Sequence, residues 1–140
     1  MAPLYTTEIL RLAASLPEPR ELEHVDGSSE QRSPTCGSTV SLQVQRGEDG
    51  RIVAISQRVH ACAFGQASAS LLASGAVGRH GDEIARAVLA LESWLSGTRD
   101  DPGEWPGLAA LVPARSRRSR HGTILLPFKA LLAAMKSERG

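Results

Sequence analysis

Residues 39–62 read TVSLQVQRGEDGRIVAISQRVHAC, and this stretch decides the fold. Residues 39–45 alternate polar and apolar, with Val40, Leu42 and Val44 on one face, the period-2 mark of a half-buried strand. Gly47-Glu48-Asp49-Gly50 is a turn, and residues 51–59 (RIVAISQRV) follow as a second strand. Asp-Gly between two β-rich runs is a strong hairpin signal, because such turns need residues that tolerate positive φ. A hairpin folds back on itself. The start of its first strand therefore lies near the end of its second.

Outward from the hairpin the period changes. Residues 63–76 (AFGQASASLLASGA) read as a helix with a small-residue face. Residues 82–95 (DEIARAVLALESWL) place Ile84, Val88, Leu91 and Leu95 on one stripe, which predicts an amphipathic helix. Residues 96–107 form a loop, 108–112 one helical turn before Pro113, and 123–136 (TILLPFKALLAAMK) a terminal helix with Pro127 in its first turn. Upstream, residues 5–15 (YTTEILRLAAS) form a helix capped by Thr6 or Thr7 and stopped by Pro17 and Pro19. Residues 22–34 (LEHVDGSSEQRSP) are polar and turn-rich, at best an irregular edge strand. The fold class is α+β: a small antiparallel sheet of about three strands with helices on one side. Residues 1–140 are expected to form one domain.

Composition narrows the function classes. The hydrophobic fraction is 41% and the aromatic fraction 4%, so Leu, Ala and Val must fill the core. A net charge of +1 gives no global attraction to nucleic acid or anionic membrane. No apolar run reaches the roughly 20 residues that span a bilayer. The first twenty residues carry Glu8 and no continuous apolar stretch, so they do not read as a secretory leader. Two cysteines make no disulfide framework, and a reducing cytoplasm is the default, with both thiols free or metal-bound.

Those two cysteines carry the chemistry. Cys36 sits in Ser33-Pro34-Thr35-Cys36-Gly37-Ser38, where Pro and Gly hold an exposed turn ahead of the first hairpin strand. Cys62 sits at the mouth of the small-residue helix, where the free N–H groups and the helix dipole favour a thiolate. The fold-back of the hairpin brings Cys36 and Cys62 together. Two thiolates in one surface pocket are half a metal site.

Cys36-Gly37 before a hairpin, then Cys62 opening the helix AFGQASASLLASG, resembles the NifU/IscU/SufU family of iron–sulfur cluster assembly scaffolds. The resemblance spans roughly the whole chain. It implies a domain presenting three cysteines and an aspartate at one end, which accepts sulfur as persulfide from a cysteine desulfurase. Such a domain builds a [2Fe–2S] cluster and passes it to apo-protein acceptors; members of the SufU branch hold zinc at the same ligands and relay sulfur. Two positions depart from the pattern. Ser38 stands where the family has its aspartate, and no third cysteine precedes the C-terminal helix. Arg120-His121-Gly122-Thr123 occupies that place, so the resemblance carries His121 over as the third ligand beside Cys36 and Cys62. The long segment before it, with Val112-Pro113-Ala114-Arg115, is similar to the SufU branch. A Cys, Cys, His set suits an iron–sulfur cluster, iron or zinc, and imidazole in place of thiolate lowers the negative charge of the set.

The resemblance thus implies a scaffold or carrier rather than an enzyme, cytoplasmic, a monomer or weak homodimer, with Cys36 and Cys62 as persulfide acceptors. Two alternatives stand: a zinc-holding sulfur acceptor, and a regulatory or partner-binding relative that has lost part of its site. His60 shares a strand face with Cys62 and approaches the pocket or lies behind it, while His24 and His80 read as solvent-exposed. The run Arg115, Arg117, Arg118, Arg120 lacks interleaved aromatics, which argues against nucleic acid and leaves a solvated loop or a dock for an acidic surface.

Overall fold

The computed structural model describes residues 5–34 and 37–137. In chain order it contains α1 (Thr7–Ala14), β1 (Gly27–Arg32), β2 (Thr39–Arg46), β3 (Ile52–His60), α2 (Ala63–Gly75), α3 (Gly81–Ser96) and α4 (His121–Lys136). Two 3₁₀ segments, Leu108–Ala114 and Arg118–Arg120, lead from α3 to α4. The sheet is antiparallel in the order β1-β2-β3.

The hairpin forms where the alternation places it. Val40, Leu42 and Val44 are fully buried, and Thr39 pairs with His60 at the closing row. Helices α2 and α4 cover this inner face, with α1 packed on α2 and α3 on α4. Phe64, Leu72, Ile84, Leu91, Trp94, Ile124, Phe128 and Leu131 join the strand residues in one core. The opposite sheet face carries Ser41, Gln43 and Arg58 and is crossed by the chain after α1, where the Arg20 N–H donates to Ser56 Oγ at 2.9 Å.

Three expectations change. Residues 27–32 form a regular edge strand rather than an irregular one. Its inward positions are Gly27, Ser29 and Gln31, so it shows no apolar alternation, because α4 approaches too closely for large side chains. A Cβ on Gly27 would collide with the carbonyl oxygen of Ala134, while Ser29 Oγ donates to the Ala130 carbonyl at 2.6 Å. Helix α4 begins at His121, so Pro127 lies in its second turn, where the Thr123 carbonyl loses its usual N–H partner. His80 is half-buried as the N-cap of α3, its N–H donating to Glu83 Oε1 at 3.1 Å, whereas His24 is exposed.

The small-residue face of α2 packs against α4. Ser68 Oγ donates to the Ile124 carbonyl of α4 at 2.6 Å. A Cβ on Gly65 would meet Thr123 Oγ1 and would lie 2.6 Å from Ala61 Cβ. The small residues bring the N-terminal ends of α2 and α4 together.

Candidate functional site

The Thr39–His60 pair fixes what lies beyond it. Gly37 and Ser38 lead into β2, Ala61 and Cys62 leave β3, and the two segments face one another across a cleft of about 260 Å³. His60 and Arg120 complete its lining. Arg120 comes from the 3₁₀ turn before α4, so three separate stretches of the chain meet here.

Cys62 is the N-cap of α2, with extended backbone and a carbonyl that accepts the Gln66 N–H at 2.9 Å. Its side chain makes no capping bond and it is a free, half-buried cysteine. The thiol therefore stands at the helix end, beside its unpaired N–H groups, with the cleft in front of it. Gln66 Nε2 donates back to the Ala61 carbonyl at 3.0 Å and steadies the residue before the cysteine.

The opposite wall is held by its own turn. The Ser33 N–H donates to the Ser38 carbonyl at 2.8 Å and the Gly37 N–H to the Ser33 carbonyl at 3.2 Å. Gly37 takes φ +74°, which an L side chain rarely adopts. Cys36 itself lies outside the described residues. Ser38 is buried, and its hydroxyl lies 3.0 Å from Thr123 Oγ1. The serine at the expected aspartate position thus ties the start of β2 to the first turn of α4.

His121 is the first residue of α4 and does not line the cleft; its neighbour Arg120 does. Its Nε2 lies 3.0 Å from the carbonyl oxygens of both Ala114 and Arg115. Both partners can only accept, so Nε2 carries the proton and the lone pair of the neutral ring belongs to Nδ1. Metal-ligating histidines are commonly oriented by this kind of carbonyl contact on the other nitrogen. His60 is exposed on the cleft side, as its shared strand face with Cys62 suggested. Among the described residues no group of three His, Cys, Asp or Glu side chains is gathered for a metal ion. The site thus unites Cys62, His60, Ser38 and Arg120, with His121 one residue beyond. Sequence reasoning missed Arg120 as a lining residue and Thr123 as the partner of Ser38. The only signal for either was proximity to His121 in the chain.

Against solved structures, the chain superposes on a nitrogen-fixing NifU-like protein (N-terminal) from Brucella abortus with a TM-score of 0.87. The two share 29% identity over 95% of this chain and 92% of that one. The chain is NifU-like in fold. The NifU-like chain also shares its fold with a SufU protein of Fervidobacterium islandicum AW-1, assigned as an iron–sulfur cluster assembly scaffold for the SUF system. That match has a TM-score of 0.81 and 22% identity over 95% of this chain and 97% of that one. No family model and no curated protein matches the sequence of this NifU-like chain. No helix among the described residues is long and apolar enough to cross a membrane.

Proposed function

We propose that this chain is a scaffold or carrier for iron–sulfur cluster assembly, not an enzyme, and that its cargo is a [2Fe–2S] cluster or the iron and sulfide that form one. Cys36, Cys62 and His121 are the proposed ligands. The observation that carries this reading is the free Cys62 thiol at a helix N-terminus. It faces a cleft whose other wall is the segment directly after Cys36, on a fold shared with NifU-like and SufU proteins. The soft thiolates and a neutral imidazole suit iron or zinc. The carbonyl contacts on His121 Nε2 support Nδ1 as its donor atom. Ser38, turned toward Thr123, supplies no carboxylate, so a fourth ligand must come from water or a partner.

A second reading is a zinc-holding sulfur acceptor, which the shortage of thiolates favours: Cys₂His with one open position is a familiar zinc arrangement. In that reading one thiolate leaves the metal and attacks the outer sulfur of a desulfurase persulfide. The desulfurase cysteine departs as its thiolate, and the persulfide is now carried on this chain. A cysteine desulfurase and apo-protein acceptors are the proposed partners in a reducing cytoplasm.

Anaerobic reconstitution with iron and sulfide, followed by UV–visible spectra and metal analysis, separates the two. The scaffold reading expects a coloured protein with sulfide-dependent absorption that Cys62→Ser and His121→Ala both lose while remaining folded. A colourless protein holding one tightly bound zinc, with no cluster after reconstitution, sinks it.

A further inference from the structure

The cleft end of the sheet carries arginines that form no ion pair with the described residues. The ion pairs among the described residues join Arg51, Arg79, Arg86 and Arg99 to carboxylates elsewhere. Arg46 and Arg115 spend their guanidinium groups on backbone carbonyls. The side chains of Arg32, Arg58, Arg117, Arg118 and Arg120 make no ion pair or hydrogen bond with a described residue.

These five share one region. Arg32, Thr39 and His60 form a row across the three strands, and Glu30, Ser41 and Arg58 form the next row on the same face. Strand spacing places Arg32 about 10 Å from His60, and the rows are about 7 Å apart. His60 lines the cleft with Cys62 and Arg120, and Arg117 and Arg118 lie within the single 3₁₀ turn that ends at Arg120, whose N–H donates to the Arg117 carbonyl at 2.9 Å. Arg32, Arg58, Arg117 and Arg118 are exposed; Glu30 on those rows and Glu21, which shares a hollow with Glu30 and Arg58, offset part of the charge without forming an ion pair with it. The whole chain carries a net charge of only +1, so the excess is local rather than general.

We infer that this arginine rim is the docking surface for a protein partner that presents an acidic segment, and that docking sets that segment over the Cys62 cleft. An uncompensated patch of one sign raises the association rate of the opposite sign and fixes its orientation. The chemistry favours an acidic polypeptide over nucleic acid, because no described aromatic side chain is exposed to stack a base. A partner docked there delivers or takes sulfur or cluster at the cleft, a role that rests on the scaffold reading above.

The probe is a fluorescein-labelled decapeptide of glutamate and glycine, followed by anisotropy in low and moderate salt. Wild-type protein is expected to bind it, with affinity falling as salt rises. The triple variant Arg58→Glu, Arg117→Glu, Arg118→Glu is expected to weaken binding about tenfold or more. The control Arg11→Glu, Arg86→Glu on α1 and α3 should stay within about twofold. Equal losses in the two variants would overturn the inference, as would a duplex DNA or phosphatidylserine vesicles binding more tightly through the same arginines. Iron and sulfide reconstitution of the triple variant keeps the two readings apart. Normal loading without peptide binding removes the docking surface alone. Rim-dependent peptide binding on a protein that never loads removes the scaffold reading alone.

Discussion

The two ends of the sheet use the same residue types in opposite ways. At the hairpin-turn end, Arg46 donates to the Met135 carbonyl at the end of α4 and to the Asp26 carbonyl, both at 3.0 Å. Arg51 donates to the Gly78 carbonyl at 2.9 Å, and the Ile52 backbone pairs with Gly78 and Arg79. Polar groups there close the structure on itself. At the cleft end, a free cysteine, an exposed histidine and the arginine rim point outward, and the internal bonds are small: Ser38 to Thr123, Gln66 to Ala61. One end spends its polar groups on the fold. The other leaves Cys62, His60 and the arginine rim without side-chain partners among the described residues, as a binding surface would and a structural seam would not.

The largest way to break this contrast is at the closed end. Gly27→Ala would drive a Cβ into the Ala134 carbonyl, and backbone cannot swing aside as a side chain can. The edge strand would part from α4, losing Ser29 to Ala130 and the Ser28 N–H to Ser137 Oγ. A loss of about 3 kcal/mol is expected in urea unfolding. A loss under about 1 kcal/mol would mean that the seam is softer than its geometry implies.

Gly65→Ala is the matching change at the cleft end. Its Cβ would meet Thr123 Oγ1, a hydroxyl that can turn away only at the cost of its contact with Ser38, and Ala61 Cβ, which moves only with its loop backbone. The expected cost is about 2 kcal/mol, smaller than at Gly27. The same shift moves Cys62, so alkylation of Cys62 in a Cys36→Ser background should change rate. Unchanged alkylation alongside reduced stability would separate the packing of α2 from the posture of its first turn.

The hairpin, α2, α3 and the end-to-end placement of Cys62 were all legible in the sequence, because each rests on a period or on the fold-back of one turn. Edge strand β1 was legible only as an irregular edge, because proximity to α4 replaced the apolar alternation with Gly27 and Ser29. Arg120 was not legible as a cleft residue. Whether a loop arginine faces in or out is decided by the single 3₁₀ turn Arg118–Arg120, which no periodicity announces. Ser38 was read as the loss of a ligand, and the structure adds that it gained a bond to Thr123. For His121, the sequence supplied a position, and the carbonyls of Ala114 and Arg115 supply the orientation of the ring.

Arginine substitutions sharpen the comparison further. Arg46→Ala removes charge-assisted bonds to the Met135 and Asp26 carbonyls, one of them at a helix C-terminus where a cation is favoured. Because the site is only partly buried, water replaces some of what is lost, and the expected cost is about 1.5 kcal/mol. A change near zero would show that these bonds merely exchange with solvent.

The smallest expected effect is the most telling. Arg117 and Arg118 are exposed and make no side-chain bond or ion pair with a described residue, so nothing in the fold depends on their charge. Arg117→Ala with Arg118→Ala should shift unfolding by no more than about 0.5 kcal/mol, the usual range for surface positions. Relieving repulsion within the arginine rim would move that small change towards greater stability, more so at low salt. The outcome to look for is therefore a protein as stable as the parent, or slightly more so, that binds the acidic peptide less well. Destabilisation by more than about 1 kcal/mol would show that the two side chains serve the fold after all, and the contrast between the ends would fail at its simplest point.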